Sequence, residues 1–315
     1  MSRHRIISIS GGKDSTACIL QNIERDLPAR YVFADTGNEH EYVYEYLDYL
    51  EQELLIEVER VRANFDRQLS VRKANLENTE SKVHQDWLKA GWKTDDILEL
   101  TKLIKPSGIP FLDLCMLKGR FPSTRAAFCT IELKQLPMRR QIVDPILDES
   151  DKNIVISIQG VRRNESLKRA NRAPCEMIDL GIYHQYPIFQ WTAEEVFAIH
   201  KKHNIKPNPL YKEGCGRVGC MPCINVGKDE LMNISHRFPN HIERIREWER
   251  IVTKVSKRRA STFLPAIGID TDNAVEKGNI HEQVKWSRTS WGGKQIDLVR
   301  DSPPPACSSI YGLCD

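Results

Sequence analysis

The chain has 315 residues, 40% of them hydrophobic and 28% charged, with a formal net charge of +3. That is an ordinary globular composition, and the length carries one large α/β domain or a domain with a smaller partner. No apolar run approaches the ~20 residues of a membrane span, and "MSRHRIISIS" has too short an apolar stretch for a signal peptide, so a cytoplasmic protein with no membrane partner is expected.

"RIISIS" (5–10) reads as a buried strand, "GGKDS" as a turn and "TACILQNIER" as a helix. "ARYVFADTG" is a second strand ending in a glycine turn. In "EYVYEYLDYLEQEL", Val43, Tyr46, Leu47, Leu50 and Leu54 recur at helical spacing. "LIEVERV" (55–61) is a third strand. Strands alternating with helices predict a doubly wound, mainly parallel α/β sheet, with ligands at the carboxyl ends of its strands. Residues 66–125 break the rhythm as a polar, largely helical insertion. "NIVISIQGVRR" (153–163) resumes the sheet. "WTAEEVFAIHKKH" is a helix with a capping box, Thr192 with Glu195. "IKPNPLY" is a loop leading to "KEGCGRVGCMPC". The expected organisation is a nucleotide-binding domain over 1–230 and a basic helical extension over 231–315, ending in a Pro-led tail with two cysteines.

The turn "SGGKDS" is not a Walker A loop. Lys13 is followed by Asp14, and the position five before Gly12 is Ile7. It keeps the related physics. Gly11 and Gly12 let the backbone approach an anion, the next helix offers unpaired N–H groups, and Ser10, Lys13 and Ser15 add donors.

Strand–SGGKDS–helix resembles the signature of the PP-loop ATP pyrophosphatases. The resemblance implies an adenine nucleotide alpha hydrolase-like fold and cleavage of ATP between its α and β phosphates. Three further stretches resemble the phosphoadenosine-phosphosulfate (PAPS) reductase branch. "FADTGNEHEYVYEYL" matches a segment beside the adenosine and implies roles for Asp35, Thr36, Gly37 and Glu39. "IQGVRRNESLKR" implies nucleotide binding by Gly160, Arg162, Arg163, Glu165, Ser166 and Arg169, whose arginines suit phosphate or sulfate. "YPIFQWTAEEVFAIHKKHNIKPNPLY" matches a helix and loop of the same branch, with Trp191 read as core packing. On this resemblance Lys13, Asp14 and Arg163 are the catalytic candidates. Ser10, Gly11, Gly12, Ser15 and Lys134 join the nucleotide contacts.

Nine cysteines without a secretory leader point to metal or redox chemistry rather than a disulfide framework. Cys215, Cys220 and Cys223 form a C-x4-C-x2-C run. "FCTIELKQLPMRR" adds Cys129. It resembles a segment of cluster-bearing sulfonucleotide reductases, but Phe128 stands where those have a first cysteine. One upstream cysteine with three downstream looks closer to the iron–sulfur DNA phosphorothioation sulfurtransferases. That resemblance implies Cys129, Cys215, Cys220 and Cys223 around one [4Fe-4S] cluster. Zinc, a [2Fe-2S] centre and a cluster with three protein ligands stay open. Cys18 and Cys115 read as packed thiols. Cys307 and Cys314 read as a redox-active tail or as incidental.

The leading functional expectation is an ATP-dependent sulfurtransferase. It uses ATP, Mg²⁺ and an iron–sulfur cluster, takes sulfur from a donor such as a cysteine desulfurase, and acts on DNA or tRNA. Residues 231–260 carry eight Lys/Arg against three Asp/Glu, suited to phosphates or simply to a solvated helix face. The first alternative is a reductase of PAPS or adenosine phosphosulfate (APS) that works with thioredoxin. Against it, the phosphate loop is whole and the tail lacks the reductase cysteine setting. The second alternative is a non-catalytic nucleotide-binding protein on the same fold.

Overall fold

The computed structural model describes residues 2–165, 167–265, 273–290, 304–305 and 307–314. Six strands form one sheet: β1 (Arg3–Ile9), β2 (Arg30–Asp35), β3 (Val58–Arg62), β4 (Ile154–Ile158), β5 (Cys175–Asp179) and β6 (Ile182–Gln185). Their order is β3-β2-β1-β4-β6-β5, and every pair is parallel except the edge pair of β5 with β6. The chain therefore has the doubly wound, mainly parallel sheet expected from its strand–helix alternation, with an antiparallel edge hairpin that the alternation did not announce.

Alternation along β1 decides which face each side chain serves. Ile7 and Ile9 join Phe33 and Ile158 in the larger core, beneath α1 (Lys13–Glu24) and α2 (Glu41–Leu54). Ile6 joins Val32, Val61, Val155 and Ile182 in a second core, closed by Ile142, Val143 and Ile146 from a long helix over residues 128–149. Ile6 and Ile7 are both fully buried, each worth about 1.5–3 kcal/mol of transfer free energy. The chain turns from the β1–β3 half to the β4–β6 half between β1 and β4. Such a reversal opens a crevice at the carboxyl ends of the strands. The turns after Ile9 and Ile158 face each other across it.

The insertion is helical, as its pattern predicted: α3 (Asp66–Glu77), α4 (Lys82–Leu88), α5 (Thr94–Thr101) and α6 (Pro110–Lys118). It packs on the helix Pro239–Lys254, where Phe111 stacks on Trp248 at 5.7 Å between ring centroids and meets Phe263 at 6.2 Å. The 230/231 boundary read from composition falls inside the helix Lys228–Arg237, and the larger core runs through Leu231, Ile245, Trp248 and Val284 beyond it. Glu249, buried at 2% exposure, accepts from the backbone N–H groups of Phe263 (2.8 Å) and Ile280 (3.0 Å). That carboxylate ties two later segments to one helix. Among the described residues no helix is long and apolar enough to cross a membrane.

Candidate functional site

The loop after β1 is built to leave backbone donors near an anion. Gly11 has φ +71°, a conformation that costs an L side chain about 1–2 kcal/mol. Gly12 is the extended N-cap of α1, with no side chain of its own to fill the cap. Ser15 donates to the Gly12 carbonyl at 2.9 Å and accepts from the Ser10 N–H at 3.2 Å, closing the loop on itself. Three residues of the "NPLY" region and its helix hold it from outside. Tyr211 Oη accepts from the Lys13 N–H at 2.9 Å, Asn208 donates to the Gly11 carbonyl at 3.2 Å, and His200 Nε2 contacts the Lys13 carbonyl at 2.9 Å. Burial pushes the Tyr211 phenol well above its ordinary range and keeps it protonated.

Gly160 explains why the two halves of the sheet meet so closely. A Cβ at that position would lie 2.6 Å from the Asp14 carbonyl carbon and 2.8 Å from the Ser15 nitrogen. Only a residue without a side chain lets the turn after β4 rest on the first turn of α1. That contact brings Arg162 to Asp14.

Lys13 is 4% exposed, which for an ammonium demands partners. Its Nζ lies 2.9 Å from Asp14 Oδ2, and the other Asp14 oxygen accepts from Arg162 Nε at 2.6 Å. Two cations share one carboxylate, so the trio keeps one net positive charge beside the loop's free N–H groups. Phosphate is the ligand that would neutralise it. Asp14 thus orients Lys13 and Arg162. Arg163 begins a short 3₁₀ turn, Arg163–Glu165, and its side chain is exposed. Arg169 binds Glu165, whose carboxylate also accepts from the Arg162 N–H at 3.2 Å. The expected arginine cluster is therefore divided. Arg162 and Arg169 have carboxylate partners within the chain, and Arg163 faces out. Ser166 lies outside the described residues.

At the end of β2, Asp35 Oδ1 accepts from the Gly37 N–H and from Tyr44 Oη, each at 2.8 Å. Glu39, 3% exposed, accepts from the Thr36 N–H at 3.1 Å and the Thr36 hydroxyl at 2.8 Å. The DTG-x-E segment is a self-bonded turn whose last carboxylate points at a cysteine. Cys220 Sγ lies 3.5 Å from both Glu39 Oε1 and Thr36 Oγ1, and Glu39 and Cys220 form a β-bridge.

Lys134 comes from the helix over 128–149. In this helix the Leu136 N–H bonds the Ile131 carbonyl and the Asp144 N–H bonds the Arg139 carbonyl, five residues back in each case. Each wide turn immediately precedes a proline, Pro137 or Pro145. The proline ring lacks an N–H and crowds the carbonyl four residues before it, which favours the looser winding. Lys134 sits in the first wide turn, and the thiol of Cys220, then the Glu39 carboxylate, Cys223 and Cys129 all hold its ammonium charged. Three of the four expected cluster cysteines therefore act on the charge of one lysine. Burial pushes the Cys220 thiol up to about 12, with Lys134 acting against that rise.

The fourth is placed differently. Cys215 is fully buried, its N–H bonds the Leu210 carbonyl at 3.0 Å, and the charges acting on its thiol are those of Glu230, Glu213 and Arg237. Thiolates of the kind Cys129, Cys220 and Cys223 would supply are soft metal ligands, and burial raises the Cys129 thiol as it does that of Cys220. Both Asp14 oxygens are engaged, one by Lys13 and one by Arg162. Cys18 and Cys115 lie in the core and Cys175 is exposed.

Of these groups Ser10, Glu39 and Lys134 line a cleft of about 660 Å³. Phe33, Ala34, Val218 and Gly219 line it with them. The volume suits a nucleotide-sized ligand.

The tail reaches this neighbourhood. Cys307 and Cys314 are joined in a disulfide, and the Ser308 N–H bonds the Lys212 carbonyl at 2.8 Å. Tyr311 donates to the Gly216 carbonyl at 2.9 Å, and its ring lies 4.9 Å from Lys13 Nζ. Much of the basic segment is spent internally. Arg237 binds Glu213 and the Pro305 carbonyl, and Arg244 donates to Asn38 Oδ1 (3.1 Å) and the Met221 carbonyl (2.9 Å).

Sequence reasoning missed Tyr211, Asn208, His200 and Tyr311 as supports of the loop. The first three lie in or beside the quoted "NPLY" stretch, which was the available signal. It also missed a close group of His40, Glu41 and His241, whose ligand-type atoms lie within 4.8 Å of one another. The two imidazoles stack at 4.8 Å, and His241 Nε2 reaches Glu41 at 3.1 Å.

Residues 4–226 match the phosphoadenosine phosphosulfate reductase domain. The chain is 44% identical over 326 aligned positions to an uncharacterized 37.8 kDa protein of the gpa 5′ region of Escherichia phage 186, covering 98% of this chain and 96% of that one. It is 30% identical over 116 residues to an adenosine 5′-phosphosulfate reductase of Neisseria meningitidis, covering 36% of this chain and 46% of that reductase. The chain thus spans about half of that enzyme's length. A PAPS reductase of Candida auris in complex with phosphate aligns over 70% of this chain and 81% of its own, at 15% identity and a TM-score of 0.39. The family match over more than half of the chain agrees with the phosphate loop, the DTG-x-E turn and the strand order, and the chain belongs to the phosphoadenosine phosphosulfate reductase domain family.

Proposed function

We propose that the protein is an ATP-dependent, pyrophosphate-releasing sulfurtransferase that modifies nucleic acid. The observation that carries this reading is the intact phosphate loop with its net positive trio of Lys13, Asp14 and Arg162. A grip of that kind suits a leaving pyrophosphate.

ATP would lie in the cleft with its β and γ phosphates on Ser10–Ser15 and its adenosine toward Asp35–Glu39. An oxygen of the acceptor attacks the α phosphorus. The α–β bridging bond breaks, and pyrophosphate leaves with that electron pair onto the loop N–H groups and Lys13. The acceptor is now an adenylyl ester. A sulfur nucleophile then attacks the activated carbon or phosphorus, and AMP departs with the oxygen. Arg162 holds Asp14 in place, so that Lys13 is held toward the leaving group. Cys129, Cys220 and Cys223 would hold an iron–sulfur cluster with three protein ligands, which when bound supplies an open iron for sulfide. Lys134 would offset the charge of those thiolates. Cys215 would serve the fold.

The second reading is a sulfonucleotide reductase, favoured by the 30% identity to the Neisseria APS reductase. One set of measurements separates them. Protein purified without oxygen is assayed for ATP–pyrophosphate exchange, for sulfite release from PAPS or APS with thioredoxin, and for visible absorbance near 400 nm. Exchange with a brown protein supports the sulfurtransferase. Sulfite release without ATP cleavage establishes the reductase instead, and a colourless, zinc-containing protein removes the iron–sulfur assignment.

A further inference from the structure

A second cleft, of about 780 Å³, lies outside the nucleotide site, between the insertion and the turn that follows the helix Pro239–Lys254. Its walls carry Arg72 from α3, Lys118 and Arg120 from the end of α6, and Lys257 and Arg258 from the turn. No aspartate or glutamate is among its lining residues. A cleft lined by cations without a carboxylate favours an anionic occupant.

The cations are held, and most are left without a counter-charge. Arg72 donates to the carbonyls of Leu117 and Val255, the latter at 2.6 Å, and has no carboxylate partner among the described residues. Lys118 alone is neutralised, by Glu132 at 2.9 Å. The Arg120 guanidinium lies 5.5 Å from the centre of the Phe128 ring. The turn is fixed by neighbours rather than by its own cations. Trp92 Nε1 donates to the Lys257 carbonyl at 2.9 Å, Arg259 donates to the Gly91 carbonyl at 3.0 Å, and the Arg259 guanidinium sits 4.4 Å over Trp92. Arg259 adopts φ +56°, a left-handed conformation that this anchoring sustains. The result presents the Lys257 and Arg258 side chains to solvent, with no side-chain hydrogen-bond or ion-pair partner among the described residues.

The cleft is not uniformly polar. Val71 and Val83 line it at 52% and 37% exposure. Four unneutralised cations beside exposed apolar surface match a ligand that has both phosphates and base faces. A bare polyphosphate has no use for the apolar wall. A duplex keeps its base faces stacked inside. A single strand can offer both, with phosphates along a basic track and bases against apolar side chains. The cleft also leads to the chemistry, since Lys118 and Arg120 lie against Phe128, the neighbour of Cys129.

We propose that this cleft docks a single strand of nucleic acid, with phosphates on Arg72, Arg120, Lys257 and Arg258 and a base against Val71 and Val83. Only the modification of that strand rests on the sulfurtransferase reading; the binding does not. The insertion is then the acceptor-binding element.

The test uses the full chain and fluorescently labelled mixed-sequence 12-mers of single-stranded DNA, single-stranded RNA and duplex DNA, read by anisotropy across a salt series. Wild type is expected to prefer a single strand, and K257E/R258E to lose at least tenfold in affinity while unfolding at the wild-type temperature. The log–log salt slope of the variant should fall by about 1.4, because each phosphate no longer neutralised on a single strand removes ~0.7. Lys285→Glu, outside the lining of the cleft, should bind as wild type. Unchanged binding by K257E/R258E, a preference for duplex, or displacement of the strand by inorganic tripolyphosphate at equal charge would each overturn the proposal. Strand binding without ATP cleavage would remove the sulfurtransferase reading and leave the cleft. ATP cleavage without strand binding would do the reverse.

Discussion

Replacing Gly160 by alanine tests whether the two halves of the sheet must meet at the phosphate loop. The substitution adds one methyl group. That methyl would lie 2.6, 2.7 and 2.8 Å from the Asp14 carbonyl carbon, the Asp14 oxygen and the Ser15 nitrogen. Non-bonded carbons settle at about 3.5 Å or more, so one backbone must retreat by about 0.9 Å. All three atoms are main-chain, so no side chain can swing aside. Overpacking of this kind costs about 1–3 kcal/mol, which lowers the unfolding temperature by about 1.5 °C per kcal/mol in a chain of this size. The larger effect should be on function. A displacement near 1 Å at a reacting group costs about a hundredfold in rate, and here it falls on the first turn of α1. Thermal unfolding and ATP–pyrophosphate exchange should be measured on Gly160→Ala beside Gly227→Ala, whose added Cβ meets nothing within 4 Å. A Gly160→Ala protein with wild-type exchange and stability would refute the argument that this glycine sets the spacing of the site.

Four further outcomes are expected. Lys13→Ala should abolish exchange, whereas Tyr311→Ala should tighten ATP binding, because it uncovers an ammonium that the ring now lies over at 4.9 Å; equal affinity for wild type and Tyr311→Ala would count against that. Cys220→Ser should lose the absorbance near 400 nm, and Cys215→Ser should keep it if three thiols suffice; loss in both restores the four-ligand set. Glu249→Ala should destabilise the fold by about 2–4 kcal/mol, since it orphans two buried N–H groups at ~1–3 kcal/mol each with partial relief by relaxation, measured by urea unfolding. Burial, with His241 nearby, pushes the His40 imidazole down to about 4. The unfolded chain therefore takes up that proton first, and stability should fall progressively as pH drops from about 6.5 to about 4. A urea midpoint that is flat across that window would remove His40 as a source of acid lability.

The left half of the sheet and its helices were legible because their apolar periods are clean. Val43, Tyr46, Leu47 and Leu50 recur on one face of α2 and are all buried. The edge hairpin was not legible. β5 has no buried residue, so "CEMID" shows no alternation of apolar and polar positions. No element was assigned over 128–149 from the sequence, where Pro137 and Pro145 sit inside a helix that accommodates them with wide turns. The phosphate loop could be read from six consecutive residues, but its supports could not. Gly160, Asn208 and Tyr211 act through contacts that only the fold creates. The four cysteines were equivalent in spacing and became distinct only through their surroundings: Lys134 beside three of them, Glu230 and Glu213 beside Cys215. Charge counting overstated the helix Pro239–Lys254 as a phosphate track, because Arg244 is spent on Asn38 and Met221.

The pairing of β1 with β4 also bears on how the molecule is made. Asp14 and Arg162 meet although 148 residues separate them, and the whole insertion lies in the loop so closed. Closing a long loop must precede the contacts that reward it, which places such pairings late in folding. Until β4 arrives, β1 has one unpaired edge in the middle of the future sheet, a template for pairing with another chain. During synthesis at ~5–20 residues per second, that edge stays open for several seconds or more. The phosphate grip is thus completed at the end of assembly, and the strand that carries it is the one most in need of shelter on the way.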